Sequence, residues 1–296
     1  MKEKRIDRLR IMSRAARSGV YFFMIILTIF LFNSTSNASI PTAYQEKQEA
    51  LVRLLTARGF SEQELTPVFS DSRVTIYPGI VGRSGKGLDY LGRRFGLLTQ
   101  KSIQEGKKIL QDNRVLLGQI ETAFGVEKEI LVSIFRIETN FGRVKGNVLI
   151  FNSLLTLALV ENRRSTWAEE ELANLLLICR ETQKDPLEIK GSWAGAFGLP
   201  QFVPSSYVKY GVDGDGDGAI DLNNRSDALA SMANYLKAFG WSEDDPAAKK
   251  QAIYAYNHCD SYVQAVLIYA RALKKDSKPT KAKSHKALPK KKSRRT

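Results

Sequence analysis

Between residues 45 and 273 apolar side chains return every three or four positions in run after run, the period of helices that bury one face. The pattern predicts helices over 45–59, 99–124, 127–140, 148–160, 167–183, 204–210, 225–239, 246–256 and 260–273. Another begins at Ser61-Glu62-Gln63-Glu64, which reads as a capping box. One short stretch, Val74–Tyr77, is β-prone and leads into a glycine-rich loop at 78–87. No strands alternate with the helices, and no segment repeats at a fixed period. The expected fold is mainly α with little β structure: one domain over about residues 42–273, with an acidic loop inserted late in it.

Two segments depart from this period. Val20–Phe32 is an apolar run of 13 residues, interrupted only by Thr28, that follows an arginine-rich start. It is short for a bilayer span and has the length of a signal-peptide core. Ser36-Asn37-Ala38 offers a small-x-small cleavage site. Residues 1–38 are therefore expected to be a signal peptide, the alternative being an uncleaved N-terminal anchor, and the protein is expected in the periplasm or cell envelope. At the other end, residues 274–296 hold two prolines, eleven Lys or Arg and almost nothing apolar. This basic tail is expected to be disordered, either solvated without a partner or held on an anionic envelope surface.

The net charge of +14 changes meaning once localised. Residues 2–17 carry +5 and residues 274–296 carry +10, which leaves the body at −1. A nearly neutral body gives no reason to expect nucleic acid. Cys179 and Cys259 are the two cysteines, and both read as sitting in apolar helical surroundings. They could pair in an oxidising compartment or remain buried thiols.

The most committed chemistry lies at 213–221, Asp-Gly-Asp-Gly-Asp-Gly-Ala-Ile-Asp. Asp213, Asp215, Asp217 and Asp221 stand at positions 1, 3, 5 and 9 of a calcium loop. Gly218 falls at the turn, and the carbonyl of Ala219 at position 7. Position 12, where a bidentate glutamate usually closes the shell, is Asn224, so Asp227 is the expected closing ligand. An acidic turn that binds nothing is the plainer alternative.

A carboxylate also stands where the helical pattern calls for an apolar residue. The stripe Ile130, Leu131, Ile134, Phe135 continues into Glu138, immediately before Asn140-Phe141-Gly142 ends the helix. Desolvation there would raise the carboxyl pKa toward that of a general acid. The structural alternative is a brace paired with an arginine. The segment 191–207, GSWAGAFGLPQFVPSSY, mixes glycines, prolines, aromatics and short polar groups. Such a run can present amides and aromatic faces to a sugar, or can simply be a tight turn.

These stretches occur in one order: I-x-x-E-T-N-F-G at 134–142, N-R-R at 162–164, the 191–207 segment, the aspartate loop, A-N-Y at 233–235 and Y-N-H-x-D-x-Y at 256–262. In that combination the chain resembles the lytic murein transglycosylase B family over roughly residues 45–273. The resemblance implies a lysozyme-like α domain that cleaves the β-1,4 bond between N-acetylmuramic acid and N-acetylglucosamine in peptidoglycan without water, leaving 1,6-anhydromuramyl ends. It implies Glu138 as the single acid and base, with Ser192 and Gln201 near the acid and in sugar subsites. Arg163 and Arg164 would contact a peptide or lactyl carboxylate. Tyr235, Tyr256, Asn257, Tyr262 and Tyr90 would line the cleft. It also implies structural Ca2+ at Asp213, Asp215, Asp217, Ala219, Asp221 and Asp227, no organic cofactor, and a monomer. One departure is visible: about fourteen residues separate Gly240-Trp241 from Tyr256-Asn257, where some family members carry a long insertion.

Overall fold

The computed structural model describes residues 40–83 and 88–275. The signal segment and nearly all of the basic tail lie outside them. Among the described residues no helix is long and apolar enough to cross a membrane.

The described chain is mainly helical. α1 (Gln45–Ala57) and α2 (Glu62–Phe69) come first, and the Ser61–Glu64 capping box forms as expected. α3 (Gln100–Asp112) and α4 (Arg114–Phe124) occupy the stretch expected as one helix. They part at Asn113, whose side-chain amide donates to the Ile109 carbonyl at 2.7 Å and so competes with the helical backbone bonds. α5 (Lys128–Thr139), α6 (Ile150–Leu159) and α7 (Ser165–Thr182) follow, then the short α8 (Pro204–Tyr210). α9 (Arg225–Ala238), α10 (Pro246–Tyr256) and α11 (Asp260–Lys274) complete the series. α10 fills the short stretch after Trp241.

Val74–Tyr77 forms no strand. The amides of Thr75 and Tyr77 donate instead to the side chains of Asn152 (3.3 Å) and Thr156 (2.8 Å), two fully buried polar groups of α6. A side chain thus satisfies backbone donors that a neighbouring strand would otherwise take. The small sheet lies elsewhere: β1 (Val148–Leu149) pairs antiparallel with β2 (Lys190–Gly191), Val148 opposite Gly191. At the head of this pair Gly146 has φ +84°, and a Cβ there would fall 2.1 Å from the Gly191 carbonyl oxygen, so only glycine fits.

Two hydrophobic clusters make up the core. One joins α1, α2, α6 and α7 through Leu55, Phe69, Phe151, Leu155 and Leu172. The other joins α4, α5, α9 and α11 through Leu117, Phe135, Leu229, Tyr262 and Val266. α9 belongs to both, with Tyr235 in the first and Met232 and Leu236 in the second, and Tyr256 packs against both. Glu138 lies beside Tyr262 of the second cluster and near Tyr256, which packs against both.

Candidate active site

α5 is buried along nearly its whole length, and its last turn carries Glu138. Asn140 (φ 50°) and Phe141 (φ 60°) then both adopt the left-handed region, and the Phe141 amide donates back to the Phe135 carbonyl at 3.3 Å. Two successive non-glycine residues there store backbone strain, which the edge-to-face contact of Phe141 with Phe135 (5.6 Å) helps to hold. Thr139, fully buried, places its hydroxyl 3.3 Å from the Leu199 carbonyl and accepts from the Gly142 amide. The end of α5 is thereby fastened to the 191–203 loop.

Glu138 is half-buried, and it forms no ion pair among the described residues. The arginines nearest in sequence are engaged elsewhere: Arg136 donates to Ser102 and lies over Phe95, and Arg143 pairs with Glu105 at 2.9 Å. The expected alternative of an arginine brace is therefore absent. The contact Glu138 does make is with Tyr262, whose hydroxyl donates to Oε1 at 2.6 Å. Desolvation pushes the Glu138 carboxyl up to about 7, and the Tyr262 hydrogen bond only partly offsets it.

Around this carboxyl the structure gathers four of the five residues read as lining the cleft. Tyr262 stacks on Tyr256 (6.4 Å, 7°) and meets Tyr90 edge-to-face at 5.5 Å. The Asn257 amide reaches the Tyr90 hydroxyl at 3.5 Å. Burial and the Glu138 charge hold the Tyr90 hydroxyl at about 12 and push those of Tyr256 and Tyr262 well above their ordinary value. These phenols stay protonated; Tyr262 donates to Glu138, Tyr256 donates to a backbone carbonyl, and Tyr90 accepts from Asn257. Tyr235, the fifth, packs on Tyr256 at 5.0 Å and donates to the Ala255 carbonyl, so it supports the wall from behind.

The 191–203 loop forms the facing side. Ser192 Oγ accepts the amides of Ala194 (3.3 Å) and Ala196 (3.1 Å), which closes a tight turn. Gln201, at φ 49°, donates its side-chain amide to the carbonyls of Lys145 and Gly198. Tyr256 donates to the Pro200 carbonyl at 2.6 Å, tying this loop to the aromatic wall. The guanidinium of Arg164 lies over the Trp193 ring at 5.1 Å, and burial lowers its pKa. Arg163 is exposed.

Within the aspartate loop, carboxylate oxygens of Asp213, Asp215 and Asp227 come within 4.8 Å of one another. Asp227 is 1% exposed and accepts the amides of Gly214 and Asp221 at 2.8 and 2.7 Å. Burial raises its pKa, and the charges of Asp215 and Asp213 raise it further. Asp217 and Asp221 lie outside this group and accept the amides of Ala219 and Asn223. Gly218, at φ +92°, makes the turn the spacing requires. Three hard oxygen donors, one of them buried against like charge, fit a dication that would relieve the repulsion.

A helical domain with one desolvated carboxyl in an aromatic cleft defines a lysozyme-like class, and the chain belongs to the transglycosylase SLT domain family, whose model matches residues 43–251. Among individual proteins it is similar to the membrane-bound lytic murein transglycosylase B of Escherichia coli K12, 36% identical over 212 residues. That match covers 68% of this chain and 59% of the relative's length. Among solved structures it is similar to the E. coli lytic transglycosylase Slt35, determined both with bulgecin A and with calcium, at 28% identity and a TM-score of 0.70, covering 78% of this chain and 93% of that one. It is also similar to SltB3 from Pseudomonas aeruginosa in complex with NAG-anhNAM-pentapeptide: 25% identity, TM-score 0.71, covering 79% and 80%.

Sequence reasoning did not single out Thr139, Trp193 or the Pro200 carbonyl. The first two stood inside motifs already quoted. The role of Pro200 is a backbone contact that no side-chain pattern encodes. Both cysteines are free; Cys179 is buried, whereas Cys259 precedes α11 as its N-cap and is only partly covered. Cys259 thus stands at the N-cap position, outside the helix and with its thiol against the Ser261 hydroxyl, contrary to the helical setting expected for it.

Proposed function

We propose that this chain is a lytic transglycosylase of peptidoglycan, which cleaves the N-acetylmuramic acid–N-acetylglucosamine bond and leaves a 1,6-anhydromuramyl end. The observation that carries the reading is Glu138: a carboxyl with a pKa of about 7, no basic partner among the described residues and a tyrosine donor at 2.6 Å. Such a group is substantially protonated at neutral pH and can also work in reverse as a base. Ordinary glycosidases divide these tasks between two carboxylates. Here one would perform both.

In this mechanism Glu138 gives its proton to the glycosidic oxygen as the C1–O bond breaks, and the muramyl acetamide oxygen bonds to C1. The carboxylate, held by the Tyr262 hydroxyl, then takes the proton of the C6 hydroxyl. The C6 oxygen displaces the acetamide from C1, which closes the anhydro ring and returns Glu138 to its protonated form. Tyr90, Tyr256 and Asn257 would present ring faces and donors to the sugars, and Gln201 and Ser192 would bound the facing subsites. Arg163 and Arg164 would meet substrate carboxylates. Asp213, Asp215 and Asp227 would hold a structural calcium ion, with Asp217, Asp221 and the Ala219 carbonyl completing its shell. The basic tail would keep the enzyme near an anionic envelope surface.

Mass spectrometry of digested sacculi tests the reading. Anhydro ends from the wild type and no turnover by Glu138→Gln are expected. Reducing ends would make the enzyme a hydrolase, and turnover by the variant would remove Glu138 from the mechanism.

A further inference from the structure

Away from Glu138 lies a second concavity of about 770 Å³, between the C-terminal end of α7, the β2 segment and the aspartate loop. The 191–203 loop, which bonds to the aromatic wall through Pro200, contributes to it as well. Phe197 and Gly198 line the pocket, while the next residue, Leu199, belongs to the core cluster of α5 and offers its carbonyl to Thr139. Lys145 also lines the pocket, and its carbonyl takes the Gln201 amide at 3.1 Å. Gln201, read above as bounding a sugar subsite, is thus hydrogen-bonded to a residue that lines this second space.

The lining is more charged than the aromatic wall around Glu138. Its apolar lining is mostly aliphatic, with Ile178, Ile189, Ile220 and Leu222 beside Phe197 and Tyr207. Its rim alternates charge, with Lys145, Lys184 and Lys190 against Asp185, Glu188 and Asp221. Several of these are already engaged. Lys184 approaches Asp221 at 3.8 Å, Asp185 pairs with Arg73 at 2.8 Å, and Lys145 donates to Asn223 at 2.8 Å. Lys190 and Glu188, both exposed, form no ion pair among the described residues. One uncommitted cation and one uncommitted anion beside a mostly aliphatic lining suit a ligand with carboxylate and ammonium groups separated by small apolar side chains. A short zwitterionic peptide has that chemistry; a neutral sugar does not.

We propose that this pocket receives the peptide arm of the substrate strand, with Lys190 taking a peptide carboxylate and Glu188 a peptide ammonium. The proposal rests on the reading of the Glu138 cleft as a peptidoglycan site. Because Ile220, Asp221 and Asn223 belong to the aspartate loop, that loop forms part of the peptide's wall as well.

The test compares sacculi bearing their peptides with the same strands stripped by an amidase, and measures kcat/KM for wild type, Lys190→Glu and Glu188→Lys. Both positions are exposed, so the variants are expected to fold. Each should lose about three- to fivefold on peptide-bearing strands, the worth of a solvent-accessible ion pair, and nothing on stripped strands. The peptide freed by the amidase, added alone, should shift the amide resonances of Ile189 and Lys190. Equal losses on both substrates, or no loss on either, would overturn the proposal. Anhydro products and an inactive Glu138→Gln would still leave the cleft reading standing in that case.

Discussion

Replacing Glu138 by Gln should make the protein more stable, by an amount that depends on pH. The unfolded carboxyl loses its proton near 4.5, whereas the folded one keeps it to about 7. Between these values the folded state binds the extra proton, so stability falls as pH rises and the full cost is present above 7. Holding the charged carboxylate in the cleft at pH 8 then costs about 3 kcal/mol. Glutamine keeps the shape and still accepts from the Tyr262 hydroxyl. Its amide is itself partly desolvated, which leaves a net gain of about 1–3 kcal/mol. For a domain of this size that is a rise in Tm of about 3–10 °C at pH 8. At pH 4, where both folded and unfolded carboxyls are protonated, the gain should vanish. Paired thermal melts of wild type and variant at the two pH values read it directly. A variant no more stable at pH 8, or equally stabilised at both, would refute the desolvated-acid argument.

Tyr262→Phe keeps the stacked ring but removes the 2.6 Å donor to Glu138. The basic limb of kcat/KM against pH should move up by about one unit, since a hydrogen bond to a charged group is worth about 1.5–3 kcal/mol. A stationary limb would count against the coupling. Chelation, or Asp227→Asn, should lower Tm by several degrees while activity at low temperature falls less, because a structural ion present at 100 times its Kd contributes about 2.7 kcal/mol. An unchanged melting curve in chelator would reject the metal. Glu171, 2% exposed, accepts both the amide (2.8 Å) and the hydroxyl (2.6 Å) of Ser205 at the start of α8. Glu171→Ala should cost about 2 kcal/mol in urea unfolding by leaving those donors without an acceptor, and full stability would show that water replaces it.

Several elements were legible in the sequence because their causes are local. α8 and α10 begin on prolines and fall at the expected residues, since proline suits a first helical turn and resists being placed within one. The break at Asn113 was not legible, because asparagine is tolerated in a long helix and only its bond to Ile109 decides the matter. Val74–Tyr77 had strand composition, but its partner proved to be a row of buried side chains on α6. The β1–β2 pair joins residues about forty apart through two positions each, too few to show a period.

The candidate site divides along the same line. Glu138 was visible alone, because a carboxylate on an apolar helical stripe violates a rule that burial otherwise enforces. The spacing of Asp213, Asp215 and Asp227 likewise came from the chain itself, since a loop of this length is shaped by short-range geometry. Tertiary structure decided which groups meet. Tyr262, 124 residues from Glu138, donates to it. Arg136 and Arg143 were drawn to other partners, and the chain passes at 197–199 from the lysine-rimmed pocket to the core of α5. A pKa is set by every group within a few ångströms, and only the packing of α5 against α11 brings those groups together.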